Sequence, residues 1–413
     1  MESVDIDVEY LAAPSWDEKM PERLRWLREN DPVHWSEKDQ LFVITTFEDV
    51  AYVSKNQQLF TSGEGVRPAM DTKVGLIDEG EPRHGQLRKL INRGFTPRMV
   101  KKLEVVFREI TTEAIDAVAS EGECDFVEDI AVPLPLLVIA EMIGIRKEDR
   151  KRFHAWSDAM IAGDGNLENP EIMAKAGAAF VEYSQYVTEI IEERRRNPQD
   201  DLVSILVGAK DDGILEEGVQ HRRHAREEFS DEANALANSE LIMMLVLLMV
   251  AGNETTRNAL SGGMALLIEN PDQRQKLLDD PSLIPSACEE IVRYVSPVHS
   301  FGRTVVEDTE LQGVPLAKGD KVLIVYPSAN HDPAAFANPD VFDVTRNPHH
   351  VGFGVGSHFC LGANLARMEL RVAFGELLRR LPDMEYAAGG PVIVPSSLVR
   401  TCSEMRVKFT PER

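Results

Sequence analysis

Hydrophobic and polar positions along this chain repeat with helical spacing far more often than with strand spacing. Residues 18–30 put Leu24, Trp26 and Leu27 on one side of a helix that Pro32 ends. Val33-His34-Trp35 and Leu41-Phe42-Val43-Ile44 read as two strands joined by the polar turn Ser36-Glu37-Lys38-Asp39. Phe47 to Ser54 predicts a short helix, and Met99 to Ala119 a longer one with Val105, Val106 and Ile110 as core candidates. Phe126 to Gly144 carries Pro133 and Pro135 in an apolar run and reads as a broken strand or loop leading into a buried helix. Helices follow over 147–162 and 170–196, separated by Gly163-Asp164-Gly165-Asn166. The second ends in Arg194-Arg195-Arg196, which suits a helix C-terminus electrostatically.

Glu240 to Ile268 is a long, mostly apolar helix stopped by Asn270-Pro271. Ala251-Gly252-Asn253-Glu254-Thr255-Thr256 sits in its middle, and glycine, asparagine and β-branched threonines are poor interior helix residues. A polar break there costs stability, so a function is its natural explanation. Helix 282–295 carries Glu290 and Arg293 one turn apart. Beyond Pro297 to Val305 comes a hairpin, Thr309-Glu310-Leu311 with Val314-Pro315-Leu316, turned at Gln312-Gly313. Lys321 to Tyr326 is a strand, 331–350 a meandering connection, and 361–381 a helix. Short strands close the chain at Met384-Glu385-Tyr386, Val392-Ile393-Val394 and Met405 to Phe409. The fold class is therefore mainly α with a smaller β region, strand-rich near 33–45, 303–326 and 384–409.

Composition bounds the function. The 413 residues are 43% hydrophobic, enough for a large core without disulfides, and length alone suggests two or three domains. A net charge of -24 lacks the basic footprint of a nucleic-acid binder. An electron-transfer partner would have to dock on a local patch against that charge. Cys124, Cys288, Cys360 and Cys402 are far apart, with no C-x-x-C pair, which excludes a zinc ribbon or thioredoxin-like motif. The acidic N-terminus shows no signal-peptide pattern. The longest apolar run, Leu241 to Gly252, is 12 residues and too short to span a bilayer, so a cytoplasmic protein is expected.

Several stretches carry candidate chemistry. Val351 to Gly362 is a glycine-rich loop presenting Cys360 at a helix N-terminus, where backbone N–H groups and the dipole favour a thiolate. Such a loop lets the backbone pass close to something flat or bulky. It lacks the third glycine of a dinucleotide-binding G-x-G-x-x-G. His84 and Arg88, spaced i, i+4, are either two donors aimed at one anion or a solvated basic face. Residues 61–81 are irregular, which in a compact domain is usually functional or mobile. The polar stretch 211–239 reads as a mobile insert, and its His221 and His224, with no third ligand nearby, make a poor metal site.

Together and in order, these motifs resemble the cytochromes P-450, the haem-thiolate monooxygenases. Phe353-x-x-Gly356-x-His358-x-Cys360-x-Gly362 matches that family's haem-binding pattern at every fixed position. Ala251-Gly252-Asn253-Glu254-Thr255-Thr256 matches its oxygen-activation motif, and Glu290-x-x-Arg293 its structural ion pair. The resemblance covers the whole chain and implies one domain, 1–413, with haem b bound by Cys360 as the iron's thiolate ligand. It implies that His84, Arg88, Arg303 and His358 neutralise the haem propionates, and that N–H groups near Leu361 and Gly362 temper the sulfur. Gly252 would leave room for O2, Thr255 would hydrogen-bond it, and Glu254 would relay protons. Glu290 and Arg293 would pair with Arg346. Electrons would come from a separate ferredoxin and ferredoxin reductase drawing on NAD(P)H, docked near the cysteine loop.

The resemblance further implies a hydrophobic substrate, its pocket drawn from 62–81, 160–185, Met243 to Ala251, Val298 to Phe301 and Ser396 to Val399. Met243, Met244, Val246 and Leu247 suggest an apolar, adaptable wall. The pattern is most similar to actinobacterial members that oxidise sterols or steroids. Tailoring of a polyketide, macrolide or terpenoid is the alternative, and a haem-binding sensor or peroxide-driven oxidase the reading from another class.

Overall fold

The computed structural model describes residues 4–70, 73–164, 169–208 and 238–412. Its helices are α1 (Met20–Asn30), α2 (Phe47–Lys55), α3 (Arg83–Ile91), α4 (Pro97–Ala119), α5 (Pro133–Ile143), α6 (Arg150–Asp164), α7 (Pro170–Arg196), α8 (Leu202–Gly208), α9 (Asn238–Glu269), α10 (Pro271–Asp279), α11 (Ile284–Val295), α12 (Tyr326–Asn330) and α13 (Ala363–Arg380). Local chemistry explains many of the starts. Thr46 and Thr96 accept from the N–H groups of Asp49 and Met99, and Asn169 from Glu171 and Ile172. Proline takes the first turn of α4, α5, α7, α10 and α11, where its missing N–H costs nothing.

The main core lies among the long helices, with Phe107, Ile139, Tyr183, Leu245, Ile291 and Phe374 all buried. Gly262 and Gly263 let α9 close on its neighbours. A Cβ at Gly263 would stand 2.6 Å from Phe374 Cζ, and one at Gly262 would stand 2.9 Å from Val295. The principal sheet contains β1 (Val33–Ser36), β2 (Leu41–Ile44), β3 (Phe60–Thr61), β5 (Ser300–Val305) and β8 (Lys321–Val325), in the order β1-β2-β8-β5-β3. Smaller pairings join β4 (Glu123–Asp125), β12 (Arg406–Lys408) and β9 (Glu385–Tyr386), β6 (Thr309–Leu311) with β7 (Val314–Leu316), and β10 (Val392–Val394) with β11 (Thr401–Glu404). Among the described residues only β2 and β8 run parallel, pairing Phe42 with Val322.

The structure corrects several expectations. Phe126–Ala131 is a π-helical turn leading into α5 rather than a strand, because both prolines fall in the first turn of a helix that tolerates them. Val105 is 61% exposed, while Ile110 is buried, since only one stripe of α4 faces the core. Helix α9 runs unbroken through 251–256, where Asn253 Nδ2, the Glu254 carboxylate and Thr255 Oγ1 each find a partner inside or beside the helix. β4, β11 and the two-residue β3 went unread. The length-based guess of two or three domains gives way to one. The stretch 211–239, with His221 and His224, lies outside the described residues except for its last two.

Candidate active site

The cysteine loop is held from its own backbone outward. Val351 N–H donates to Asn330 Oδ1 at 2.9 Å, and Cys360 N–H to Phe353 O at 2.7 Å, closing the loop. Gly354 and Gly356 have φ of +66° and +79°, which glycine adopts without strain. Gly356 also passes so close to α2 that a Cβ would lie 2.6 Å from Ser54 O. At Gly362 the reason differs. A side chain there would meet no protein atom within 4 Å, so nothing in the polypeptide demands its small size. Burial pushes the Cys360 thiol up, and the Gly362 N–H and the charges of Arg88 and Arg367 pull it back without prevailing. The pull of the helix N-terminus towards a thiolate is thus outweighed by desolvation. A bound metal ion is what would deprotonate this sulfur.

Beside the loop, four basic side chains from three segments converge. The His84 and His358 rings stack with centroids 3.8 Å apart. His84 is buried, on the inner side of α3, and its Nδ1 lies 2.9 Å from Glu81 Oε1. Arg303, 3% exposed, comes from β5, and its Nη1 donates to Gly302 O at 2.7 Å. Burial and the positive charges of Arg88 and Arg303 both lower the His84 pKa, with Glu81 opposing. His358 is pushed down to about 2 by burial, then by His84, Arg303 and Arg88. Arg303 Nε and His358 Nε2 are buried with no hydrogen-bond partner among the described residues. Buried donors without acceptors are costly, and repelling buried cations more so. An anionic group satisfies both. The solvated-face reading of His84 and Arg88 fails.

Across from these, α9 presents Met243, Leu247, Ala251 and Thr255 at four-residue spacing, each less than fully covered, while Met244 and Val246 belong to the core. Thr255 Oγ1 donates to Ala251 O at 2.7 Å. Gly252 faces elsewhere. A Cβ there would stand 2.6 Å from Ile139 Cδ1, so this glycine serves the packing of α9 on α5, and Ala251 is the small residue on Thr255's face. Glu254 is buried, and its carboxylate accepts from Arg257 Nη2 at 2.7 Å, Asn258 Nδ2 at 2.9 Å and Thr401 Oγ1 at 3.2 Å. Asn253 Nδ2 donates to Ser157 Oγ at 2.9 Å, fixing α9 against α6.

Behind the loop, the Glu290 carboxylate accepts from Arg293 Nε at 2.7 Å, Arg346 Nε at 3.0 Å and the Asp343 N–H at 3.1 Å, as expected of that triad. Arg293 in turn donates to Asn330 O and Pro339 O. A groove of about 720 Å³ opens on the outer side of the loop, lined by Phe47, Lys55, Glu289, Phe359 and Arg367 among others.

A helix-rich fold presenting a cysteine loop, a cluster of converging basic side chains and an opposing oxygen-motif helix defines a haem-thiolate protein. Comparison bears this out: the sequence model of the family Cytochrome P450 matches residues 17–382, and the chain belongs to that family. It is 39% identical over 390 residues to the steroid C26-monooxygenase of Mycobacterium tuberculosis, covering 94% of this chain and 93% of that one. It is 38% identical over 369 residues to the methyl-branched lipid omega-hydroxylase of the same organism, covering 85% and 78%. The testosterone complex of a Bacillus megaterium cytochrome P450 superposes with a TM-score of 0.80 at 32% identity, covering 94% of this chain and 98% of that one. The enzyme is accordingly a cytochrome P450 monooxygenase, and the family implies haem and use of O2. No helix among the described residues is long and apolar enough to cross a membrane.

The residues around Glu254 that sequence reading missed are Arg257, Asn258 and Thr401. Arg257 and Asn258 stand three and four residues on, spacing that helix geometry could have flagged. Thr401 had no such signal, since it arrives from a strand 147 positions away.

Proposed function

We propose that this P450 hydroxylates the aliphatic side chain of a sterol- or steroid-like lipid, using electrons from a separate ferredoxin and its NAD(P)H-dependent reductase. The stripe Met243-Leu247-Ala251-Thr255 is the observation that carries the reading. It is apolar until the hydroxyl of Thr255, which suits a long hydrocarbon brought end-on to one polar group. The steroid- and lipid-oxidising relatives support the same substrate class.

When bound, haem supplies the oxidation through its iron, and the protein supplies binding, orientation and protons. Cys360 Sγ would ligate the iron, and the Gly362 N–H would temper its charge. His84, Arg88, Arg303 and His358 would hold the propionates. Ala251 leaves space beside Thr255, whose hydroxyl would donate where oxygen is handled. Glu254 passes protons towards Thr255 and is kept on α9 by Arg257, Asn258 and Thr401. The ferredoxin docks over the groove outside the cysteine loop, where Lys55 supplies local positive charge on an acidic protein.

Spectral titration of the haem-loaded enzyme tests the substrate class. Cholest-4-en-3-one and cholesterol, which carry that side chain, are expected to bind and shift the Soret band. If neither does so while macrolides or terpenoids do, the steroid reading is wrong and tailoring of those compounds replaces it.

A further inference from the structure

One polar cluster around the cysteine loop has no part in the roles above. Glu289 precedes the acid of the Glu290 triad and points the other way. Its carboxylate accepts from Arg367 Nε at 2.7 Å and Nη2 at 2.8 Å, a two-pronged pair, and lies 3.2 Å from His350 Nε2. The far side of that imidazole accepts from the Gly352 N–H, with Nδ1 at 3.0 Å, which leaves the proton on Nε2 facing Glu289. Gly352 has little freedom to move away, since a Cβ on it would stand 2.9 Å from Val292 Cγ1. Arg367 in turn sits with its guanidinium carbon 4.6 Å from the centroid of the Phe353 ring. Phe353 O is the acceptor for the Cys360 N–H.

The cluster therefore holds the start of the loop, Gly352 through the His350 ring and Phe353 through the Arg367 cation, and Phe353 O carries that hold to the Cys360 N–H. It is sheltered as well: the side chains of His350, Glu289 and Arg367 are 2%, 18% and 30% exposed. Burial pushes the Glu289 carboxyl up, yet the hydrogen bonds from Arg367 and His350 override it and hold the group at about 2. Glu289 is thus a permanent anion matched to a permanent cation. Arg367 and the Cys360 sulfur also act on one another electrostatically.

We propose that Glu289, His350 and Arg367 form a charge-balanced clamp that positions the cysteine loop and sets the electron affinity of the haem bound there. The proposal rests on Cys360 being the haem ligand. Reduction adds negative charge next to the sulfur, so the Arg367 cation favours the reduced state and Glu289 cancels part of that effect. The acid and the base consequently pull the potential in opposite directions. A cluster that only braced the loop would lack this sign. His350 is the positioning member, and its uncharged ring fixes Gly352 against the pair.

Potentiometric titration of the haem-loaded variants tests it. Arg367→Gln is expected to lower the reduced-to-oxidised ratio at a fixed potential at least threefold, which is about 28 mV for a one-electron couple. Glu289→Gln is expected to raise the ratio by a similar factor, and the double variant to return near the wild type. Arg367→Lys, which keeps the charge, is expected to stay within threefold and serves if Arg367→Gln does not fold. His350→Leu is expected to shed the thiolate-type carbon monoxide band faster than His350→Gln, which retains a donor and an acceptor. Single variants that move the potential in the same direction, or not at all, overturn the clamp. If that happens while the wild type shows the thiolate-type band, the haem site stands and only the clamp is lost.

Discussion

The two sides of the haem site are built from different physics. Behind the cysteine loop, nearly every polar atom is paired: Glu290 with two arginines and an N–H, Arg293 with two carbonyls, Asn330 with Val351. On the facing side, α9 offers Met243, Leu247 and Ala251, with polarity confined to Thr255 and to the back of the helix at Glu254. The contrast follows from what each side must do. A ligand sulfur needs one geometry, which directional bonds specify. A wall for hydrocarbon needs shape, which packing specifies and which side-chain exchange can alter.

The contrast is most easily broken behind the loop. Replacing Glu290 with Ala leaves Arg293, fully buried, without its charge partner, and about 3–5 kcal/mol of stability should go. Urea denaturation of the haem-loaded protein measures this, and a loss under about 1 kcal/mol would make the triad ornamental. Between the two sides, Glu369 on α13 is buried and its carboxyl is pushed up from 4.5 to about 8. Its pKa is raised in the folded state, so its contribution to stability is present below the unfolded pKa and is lost as pH rises through about 8. Of order 3 kcal/mol should disappear between about pH 5 and 8, and Glu369→Gln should flatten that part of the profile. An unchanged slope in the variant would place the pH dependence elsewhere.

Effects on the facing side should spare stability and appear in chemistry. Thr255→Ala is expected to cut product formed per electron pair about tenfold while leaving the carbon monoxide spectrum intact. Unchanged coupling would remove the proton role given to Thr255. The smallest effect is expected for Met243→Ala or Leu247→Ala, which should weaken steroid binding about tenfold or less with little change in the melting curve. If either variant instead unfolded the protein, these residues would belong to the core and the contrast would blur.

What could be read from the chain follows the same division. Motifs that act through contiguous residues were legible: the cysteine loop, the 251–256 stretch and the Glu290–Arg293 turn, with Arg346 supplied by resemblance. Long-range placement was not. Nothing local says that Thr401 reaches Glu254, or that Trp16 stacks on His299 with centroids 4.1 Å apart. Gly252 misled because glycine suits both a tight ligand approach and tight helix packing, and only Ile139 decides between them. At Cys360 two effects compete, since a helix N-terminus and a buried site push a thiol in opposite directions. Val105 shows the limit of apolar identity as a guide to burial.

The central claim is that Cys360 is the ligand around which both sides are arranged. The carbon monoxide difference spectrum of the reduced protein addresses it directly, in the wild type and in Cys360→Ser. The account predicts the red-shifted Soret band of a haem-thiolate protein in the first and its loss in the second. Absence of that band from the wild type, or its persistence in the variant, would contradict it.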